Sequence, residues 1–254
     1  MPVDISSLFA TPLADVALSS VLWDAFSKSD LFGKFIVAIL FALSLWAGTV
    51  IFQKHFELAA YERADKRFFY DFKSQRNPLE LFVTGRLPDS SPLAQVYRAA
   101  AATARREFMS RADKQHRELD QIDLSVERLS PLQIDSIRKN AECAAADQIN
   151  LIEDQMSVLA TIYTLSPMLG LFGTVWGVMV AFYSMGVAGS ADLAAVAPGV
   201  SSALLTTVVG MVVAIFAAIF SNHLNNRIRF LSVQLENFPD KIATALQQTF
   251  VYEE

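Results

Sequence analysis

The sequence predicts an all-α integral membrane protein with three transmembrane helices, two of which extend into a long cytoplasmic helical bundle. Of its 254 residues, 53% are hydrophobic and only 19% are charged, and the mean hydropathy is +0.33. Soluble domains usually carry about 25% charged residues. Two further observations lead to the same fold class: three long runs lack acidic and basic side chains, and apolar residues with helical spacing flank two of these runs.

Each uncharged run is long enough to cross a bilayer, which takes roughly 20 apolar residues in a helix. The runs are residues 35–52, 155–191 and 193–226, and the third contains His223 near its end as its single ionisable side chain. The first run is too long for a signal peptide and follows an acidic rather than a basic segment. A soluble protein would need a very large shell to bury three such helices, so we favour membrane spans.

Lysine and arginine set the predicted orientation, because cytoplasmic segments of membrane proteins are enriched in them. The block between the first two runs and the C-terminal tail are basic near the membrane, whereas the hairpin between the last two runs has no Lys or Arg. The predicted segments are an extracytoplasmic N-terminal segment (1–30), transmembrane helix 1 (31–52), a cytoplasmic helical domain (53–154), transmembrane helix 2 (155–186), an extracytoplasmic hairpin (187–199), transmembrane helix 3 (200–222) and a cytoplasmic helical tail (223–254).

Caps and apolar stripes predict that the cytoplasmic segments are helical. Ser91 and Ser130 each precede a proline, as helix N-caps often do, and Gln133 adds the capping-box spacing. An apolar stripe then continues without a breaker into the second run, which predicts one long helix. The members of this stripe are Ile134, Ile137, Ala141, Ala145, Ile149, Ile152, Met156 and Leu159. A second stripe, which predicts that the third span continues to Pro239, consists of Leu224, Ile228, Leu231, Leu235 and Phe238.

The sequence lacks the patterns typical of enzymes, cofactor sites and nucleic-acid binders. The net charge of −5 argues against a nucleic-acid partner. Gly170, Gly173 and Gly177 lie in an apolar run rather than after a strand, so they do not predict a nucleotide-binding loop. The three histidines lack metal-ligand spacing, and the single cysteine, Cys143, cannot form an internal disulfide. We therefore expect no enzymatic activity, no cofactor and no metal.

Small residues recur with helical spacing in the second and third spans. Such residues let two helices approach closely in a bilayer, where no hydrophobic force drives them together. We therefore predict helix packing at Gly170, Gly173, Gly177, Gly210 and Ala214.

Hydroxyl side chains form another pattern at membrane depth. Thr174, Ser202, Thr206 and Thr207 are candidates for the wall of a hydrated path, although a threonine can also bond a carbonyl one turn back in its own helix. The middle of the three spans contains no Asp, Glu, Lys, Arg or His, whereas proton relays keep such groups there. If protons pass, the titrating group must therefore come from a partner.

Two segments resemble the signature of a known family. Residues 169–179 read LGLFGTVWGVM, and residues 196–210 read VAPGVSSALLTTVVG. Together they are similar to the TolQ/ExbB/MotA proton-channel family in its TolQ and ExbB branch. That branch has the run GLFGTVWGIM, and this chain has Val178 in place of its isoleucine. The three spans and the cytoplasmic helical block extend the resemblance over most of the chain.

The resemblance implies a subunit of an inner-membrane motor. In that family, five subunits surround the transmembrane helices of a TolR- or ExbD-like dimer, whose membrane-embedded aspartate carries the proton. Proton motive force becomes motion across the periplasm, with a TolA- or TonB-like protein as a further partner and lipids around the pentamer. The resemblance also implies a bacterial inner-membrane location, a periplasmic N-terminus and a cytoplasmic C-terminus.

The resemblance assigns roles to particular residues as well. It implies that Thr174 and Thr207 face the pore and that Pro198 and Gly199 lie in the turn before the third span. The branch has a glutamate in its APGIAEAL pattern where this chain has Ser202, so the charge that this glutamate gives the pore is missing here.

Three functions stay open at this point. A TolQ-like role in envelope integrity and division is favoured by the short external N-terminus and by the Ser166-Pro167 pair before the signature. The first alternative is an ExbB-like subunit that energises uptake through outer-membrane receptors. The second is a passive oligomeric scaffold in which the glycine-lined faces only pack.

Overall fold

The computed structural model describes residues 23, 25–27, 29–74, 79, 81, 87–114, 129–189 and 193–250. Within these ranges the regular secondary structure is α-helical, and three helical stretches are long and apolar enough to cross a membrane. The predicted all-α membrane fold is thus confirmed. Most of the predicted N-terminal segment 1–30 and residues 190–192 of the predicted hairpin lie outside the described residues.

The described residues form six helices. They are α1 (Leu31–Ser74), α2 (Pro92–Lys114), α3 (Pro131–Glu153), α4 (Met156–Ala188), α5 (Leu193–Glu236) and α6 (Phe238–Phe250). Helices α1 and α5 have 44 residues each, about twice the roughly 20 residues that a bilayer requires. The long extension of α1 was not among the predictions. It follows from the absence of glycine and proline between Gly48 and Pro78.

Helices α3 and α4 are separate, so the prediction of one continuous helix is wrong. Asp154 and Gln155 form a turn, and Gln155 has a φ of 65°, in the left-handed region that side chains other than glycine rarely adopt. The Lys54 ammonium is buried and lies 3.3 Å from the carbonyl oxygen of Ile152 and 2.9 Å from Oε2 of Glu57. Carbonyls at a helix end lack partners within the helix, so Lys54 satisfies one of them and stabilises the break.

The predicted apolar stripes and cap are confirmed. The side chains of the two stripes that are at most 3% exposed are Ile134, Ile137, Ala141, Ala145, Ile152, Leu159, Leu224, Ile228, Leu231, Leu235 and Phe238. At the start of α3, the Ser130 hydroxyl accepts a bond from the Gln133 N–H, and the Gln133 side chain accepts one from the Ser130 N–H. The second stripe runs to the end of α5 and finishes at Phe238, the first residue of α6.

Contacts divide the chain into two compact units. The first contains the described residues up to Val50 and residues Ser157–Ser221, which are the first part of α1 and most of α4 and α5. Within it, Phe32 of α1 packs on Trp176 of α4, with ring centroids 4.4 Å apart. Many large apolar side chains stay exposed on this unit, for example Phe41, Trp46, Leu171, Phe182, Met211 and Phe216. Exposed apolar surface of this extent indicates contact with lipid or with other subunits.

The second unit contains the described parts of Ile51–Met156 and Asn222–Glu254. Here α6 packs against α2 and α3. Four aromatic rings, those of Phe68, Phe72, Tyr97 and Phe238, form a cluster with neighbouring centroids 5.4–6.3 Å apart. This cluster joins α1, α2 and α6 in one core.

Asp65 joins α1 to the beginning of α2. Its side chain is 3% exposed, and its Oδ1 accepts bonds from the Ser91 hydroxyl at 2.5 Å and from the Leu93 N–H at 3.2 Å. Ser91 also accepts a bond from the Ala94 N–H at 3.1 Å, as its predicted N-cap role requires. Burial raises the pKa of the Asp65 carboxyl, and the two hydrogen bonds offset this only in part.

Pro198 and Gly199 lie inside α5, so their expected place in the hairpin turn is wrong. Pro198 is the sixth residue of α5, beyond the first turn in which proline costs no hydrogen bond, so the helix lacks one backbone hydrogen bond there. Gly199 faces α4, because a Cβ atom placed on it would lie 3.1 Å from the Cβ atom of Ala181.

The wild type should lose stability as the pH rises through the pKa of Asp65, and we expect the Asp65→Asn variant to lack this loss. The amide keeps an oxygen for Ser91 and Leu93 but cannot ionise. Because the pKa of Asp65 is raised in the folded protein, its stabilising contribution is complete below the unfolded value of about 3.9 and is lost as the pH rises through the folded value. The Tm of the wild type should therefore fall relative to that of the variant as the pH rises above about 4.

Thermal unfolding of the detergent-solubilised chain measures this difference. Asp89→Asn changes an exposed carboxylate and serves as the matched control. A wild type that gains stability over Asp65→Asn as the pH rises would contradict the expectation.

Candidate functional site

In the first unit, α4 and α5 approach so closely that glycine positions on both helices have no room for a side chain. A Cβ atom on Gly210 would lie 2.5 Å from the carbonyl oxygen of Ser166, and one on Gly170 would lie 2.9 Å from the carbonyl oxygen of Thr206. A Cβ atom on Gly173 would lie 2.5 Å from the Thr206 hydroxyl oxygen. Contacts below 3.0 Å are essentially absent around real Cβ atoms, so only glycine fits at these positions.

The remaining residues predicted to pack lie in the same part of the fold. A Cβ atom on Gly177 would lie 2.7 Å from the Cβ atom of Ala203, and Ala214 is buried further along α5. Gly170, Gly173 and Gly177 occupy one face of α4, at steps of three and four residues. This is the spacing by which small residues bring two membrane helices together.

Three threonines meet across this close contact. The hydroxyl groups of Thr174 on α4 and Thr207 on α5 are hydrogen-bonded to each other. The Thr174 oxygen also lies 3.0 Å from the carbonyl oxygen of Ala203, and the Thr207 oxygen lies 2.9 Å from that of Gly170. The Thr206 oxygen lies 2.7 Å from the Ala203 carbonyl oxygen and 3.1 Å from that of Gly170. We call Thr174, Thr206 and Thr207 with these two carbonyls the hydroxyl cluster.

The four candidate hydroxyls differ in their access to partners. Thr206 is 1% exposed and Ser202 is 6% exposed, whereas Thr174 and Thr207 are half-buried. The Ser202 hydroxyl donates to the carbonyl oxygen of Gly199 at 2.9 Å, within its own helix. Thr174 and Thr207 are therefore the pair that a group from outside the chain can reach.

The hydroxyl cluster can relay hydrogen bonds but cannot itself titrate near neutral pH. A hydroxyl donates one hydrogen bond and accepts others, so it can pair with water or with a carboxyl in either protonation state. Between Met156 and Asn222 the sequence contains Asp192 as its single Asp, Glu, Lys, Arg or His. Within the part of the chain that the structure describes, no group of three or more His, Cys, Asp or Glu side chains could hold a metal ion.

The two carbonyl groups of the cluster were missed by the sequence reasoning. Gly170 was predicted to pack, but residue types do not show where a backbone carbonyl oxygen will accept a hydrogen bond. The signal that could have revealed them is the register of the two small stripes, which places Thr206 and Thr207 opposite Gly170 once the helices are in contact.

The chain matches the family described as the MotA/TolQ/ExbB proton channel family over residues 101–237, which is more than half of its length and includes α4 and α5. The chain belongs to this family. The resemblance of residues 169–179 and 196–210 is thus confirmed at the level of the whole family.

Proteins named TolQ and ExbB are similar in sequence to this chain. The Tol-Pal system protein TolQ of Pseudomonas aeruginosa is 27% identical over 229 residues, which are 89% of this chain and 93% of that protein. The TolQ protein of Haemophilus influenzae is 40% identical over 101 residues, 40% of this chain, and the match covers 44% of that protein. The biopolymer transport protein ExbB of Salmonella typhimurium is 50% identical over 64 residues, 25% of this chain and 26% of that protein.

We expect Gly173→Leu to separate α4 from α5 and to disturb assembly. The new side chain would collide with Thr206, and overpacking of this kind costs about 1–3 kcal/mol. Gly186→Leu is the matched control, because a Cβ atom on this α4 glycine has open space around it. Native gels of the detergent-solubilised protein should show loss of the oligomer for Gly173→Leu alone. An intact oligomer in both variants would show that close contact at Gly173 is unnecessary.

Proposed function

We propose that this member of the family is a TolQ-like proton-channel and motor subunit of the bacterial inner membrane. With a TolR- or ExbD-like single-span partner, it converts proton motive force into mechanical work on the cell envelope. It has no enzymatic activity in this proposal and uses no cofactor. The observation that carries the proposal is the accessible Thr174–Thr207 hydroxyl pair, set between two spans that contain no titrating group of their own.

The missing acid is supplied by the partner in this mechanism. A transmembrane aspartate beside Thr174 and Thr207 would find hydroxyls that bond it in both its protonated and its ionised form. Protons could then load and unload with little change in hydrogen bonding. Ser202 stands where the branch has a glutamate, and its hydroxyl is bonded to Gly199, so it adds no charge to the path.

Assembly and topology complete the proposal. Five copies surround the partner dimer, with the exposed apolar side chains of the first unit against lipid and against neighbouring copies. The N-terminus lies in the periplasm, residues 53–154 and 223–254 lie in the cytoplasm, and a TolA- or TonB-like protein receives the motion. The basic residues that flank the spans support this orientation.

TolQ-like work on envelope integrity and division is preferred over ExbB-like work in receptor-mediated uptake. The match to a TolQ protein covers 89% of this chain, whereas the match to an ExbB protein covers 25%. The higher identity of that shorter match, 50%, keeps the ExbB-like role as the second candidate. A passive scaffold is the third candidate, since close packing at glycines would serve it equally well.

We expect Thr174→Val and Thr207→Val to insert and assemble normally but to lose proton-coupled function. Valine keeps the shape of threonine and removes the hydroxyl. Loss of about 1.4 kcal/mol of hydrogen bonding along the path would slow proton transfer about tenfold. Thr174→Ser retains the hydroxyl and is the matched control. Normal envelope integrity in both valine variants would remove these threonines from the proton path.

Co-purification with a single-span neighbour tests the shared mechanism. The neighbour should carry an aspartate in its membrane helix, and both subunits should be counted in the purified complex. In liposomes, the complex should conduct protons in response to a voltage, whereas this chain alone should not. Strong proton flux through the chain alone would contradict the proposal that the partner supplies the titrating aspartate. If no such partner co-purifies, the passive-scaffold function would be favoured.

A further inference from the structure

The hydroxyl cluster contains more hydroxyl groups than free carbonyl positions. In an α-helix the carbonyl oxygen of one residue accepts the N–H of the residue four positions later, so one of its two lone pairs is already in use. Gly170 and Ala203, both inside helices, can therefore each accept one hydroxyl. Three hydroxyls compete for these two positions, those of Thr174, Thr206 and Thr207. One of the three must then donate to another hydroxyl.

Distances decide which hydroxyl takes which carbonyl. The Thr206 oxygen lies 2.7 Å from the Ala203 carbonyl oxygen, within the range of about 2.5–3.0 Å that O–H···O bonds prefer. The Thr207 oxygen lies 2.9 Å from that of Gly170. These two bonds fill both carbonyls. Thr174 is then left to donate to the Thr207 hydroxyl, with which it is hydrogen-bonded.

The other arrangement of donors uses longer contacts. In it, Thr206 would donate to the carbonyl of Gly170 at 3.1 Å. Thr174 would donate to the carbonyl of Ala203 at 3.0 Å, and Thr207 would donate to Thr174. Both carbonyl contacts lie at or beyond the upper end of the range of about 2.5–3.0 Å. The first arrangement is therefore favoured, and Thr206 favours it by occupying the carbonyl that Thr174 would need.

We propose that Thr206 is a positioning residue for the proton path. By donating to Ala203, it makes Thr174 donate to Thr207 and leaves the Thr174 oxygen with no donor among the hydroxyls of the cluster. A protonated carboxyl from outside the chain then donates to Thr174. That carboxyl belongs to the proposed function, on which this role of Thr206 rests, whereas the bonding inside the cluster can be measured without it.

Solid-state NMR of the Gly170 carbonyl in the full chain, reconstituted in lipid, tests the bonding. Gly170-Leu171 is the single Gly-Leu pair of the sequence, so glycine labelled with ¹³C at the carbonyl, combined with ¹⁵N-labelled leucine, selects this one signal. A carbonyl ¹³C shift changes when a hydrogen bond is lost. The Thr206→Ala/Thr207→Val double variant provides the reference for this loss, because the remaining hydroxyl, that of Thr174, lies 3.3 Å from the Gly170 oxygen.

We expect Thr206→Ala alone to move the Gly170 signal towards this reference. Alanine frees the Ala203 carbonyl, so Thr174 can donate there and Thr207 can then donate to Thr174 instead of Gly170. The carbonyl contacts that decide between the two arrangements are then 3.0 Å and 2.9 Å. Because these are nearly equal, the displacement should be about half of that in the reference. An unchanged signal would overturn the proposal.

A Thr174→Val background shows whether Thr206 acts through Thr174. Without the Thr174 hydroxyl, Thr207 has Gly170 as its acceptor in the cluster, whether or not Thr206 keeps its own hydroxyl. Thr206→Ala should therefore leave the Gly170 signal unchanged in this background. The same displacement in both backgrounds would show that Thr206 donates to Gly170 directly, and it would overturn the proposal.

Control variants separate the hydroxyl from the shape of the side chain. Thr206→Ser keeps the hydroxyl and should retain the wild-type signal. Thr161→Ala removes an exposed α4 hydroxyl that bonds to the carbonyl of Ser157 in its own helix, so it should leave the signal unchanged. Thr206→Val keeps the shape of threonine, and it takes the place of Thr206→Ala if the smaller side chain prevents assembly.

Proton flux through the complex with its single-span partner distinguishes this role from the proposed function. About half of the hydroxyl pairs would have the other arrangement in Thr206→Ala, so flux should fall about twofold, and Thr206→Ser should restore it. Wild-type flux in Thr206→Ala would overturn the positioning role. Absence of flux in the wild-type complex would overturn the proposed function and this role with it, while the NMR signals of the chain alone would still report the bonding.

Discussion

A bilayer gives two apolar helices no hydrophobic reason to associate, so contact between α4 and α5 depends on how closely their backbones can approach. Glycines at 170, 173 and 210 remove the side chains that would keep them apart. The same approach brings the carbonyl of Gly170 within reach of hydroxyls on α5. Packing and polar chemistry at this interface therefore have one cause, which is the absence of Cβ atoms.

The hydroxyls at this interface divide into two kinds. Thr206 and Ser202 are buried, and their bonds go to backbone carbonyls, so they stabilise the helices. Thr174 and Thr207 are bonded to each other and to carbonyls of both helices, yet they keep part of their surface open. Residue type alone cannot separate the two kinds, because all four are small hydroxyl residues in apolar spans. Burial separates them, and burial depends on how each helix is rotated towards its neighbour.

Most of the fold could be predicted from periodicity, and the exceptions have local causes. The stripes from Ile134 and from Leu224 are buried as expected. Apolar residues at helical spacing form one face of a helix, and that face packs against the core. The break at Gln155 was missed because glutamine is a good helix former and the apolar stripe continues across it. Its cause is tertiary, since Lys54 reaches a carbonyl at the end of α3 from a position 98 residues away in the chain.

The candidate site could be predicted in its residues but not in its bonding. The threonines and glycines were recognisable from the sequence, whereas the backbone oxygens of Gly170 and Ala203 were not. The burial of Asp65 escaped notice for a related reason. Nothing in the sequence distinguishes Asp65 from the other charged residues of this segment. It is buried because α1 packs against the start of α2.

The shared carbonyls of Gly170 and Ala203 have a consequence for the direction of the hydroxyl bonds. Thr174 can donate to Ala203 while Thr207 donates to Thr174, or Thr207 can donate to Gly170 while Thr174 donates to Thr207. Both arrangements use the same heavy-atom positions and the same number of bonds. The pair can therefore reverse its polarity by rotating two O–H groups, without any movement of the helices. In the proposed proton path, this rotation would reset the pair after each transfer.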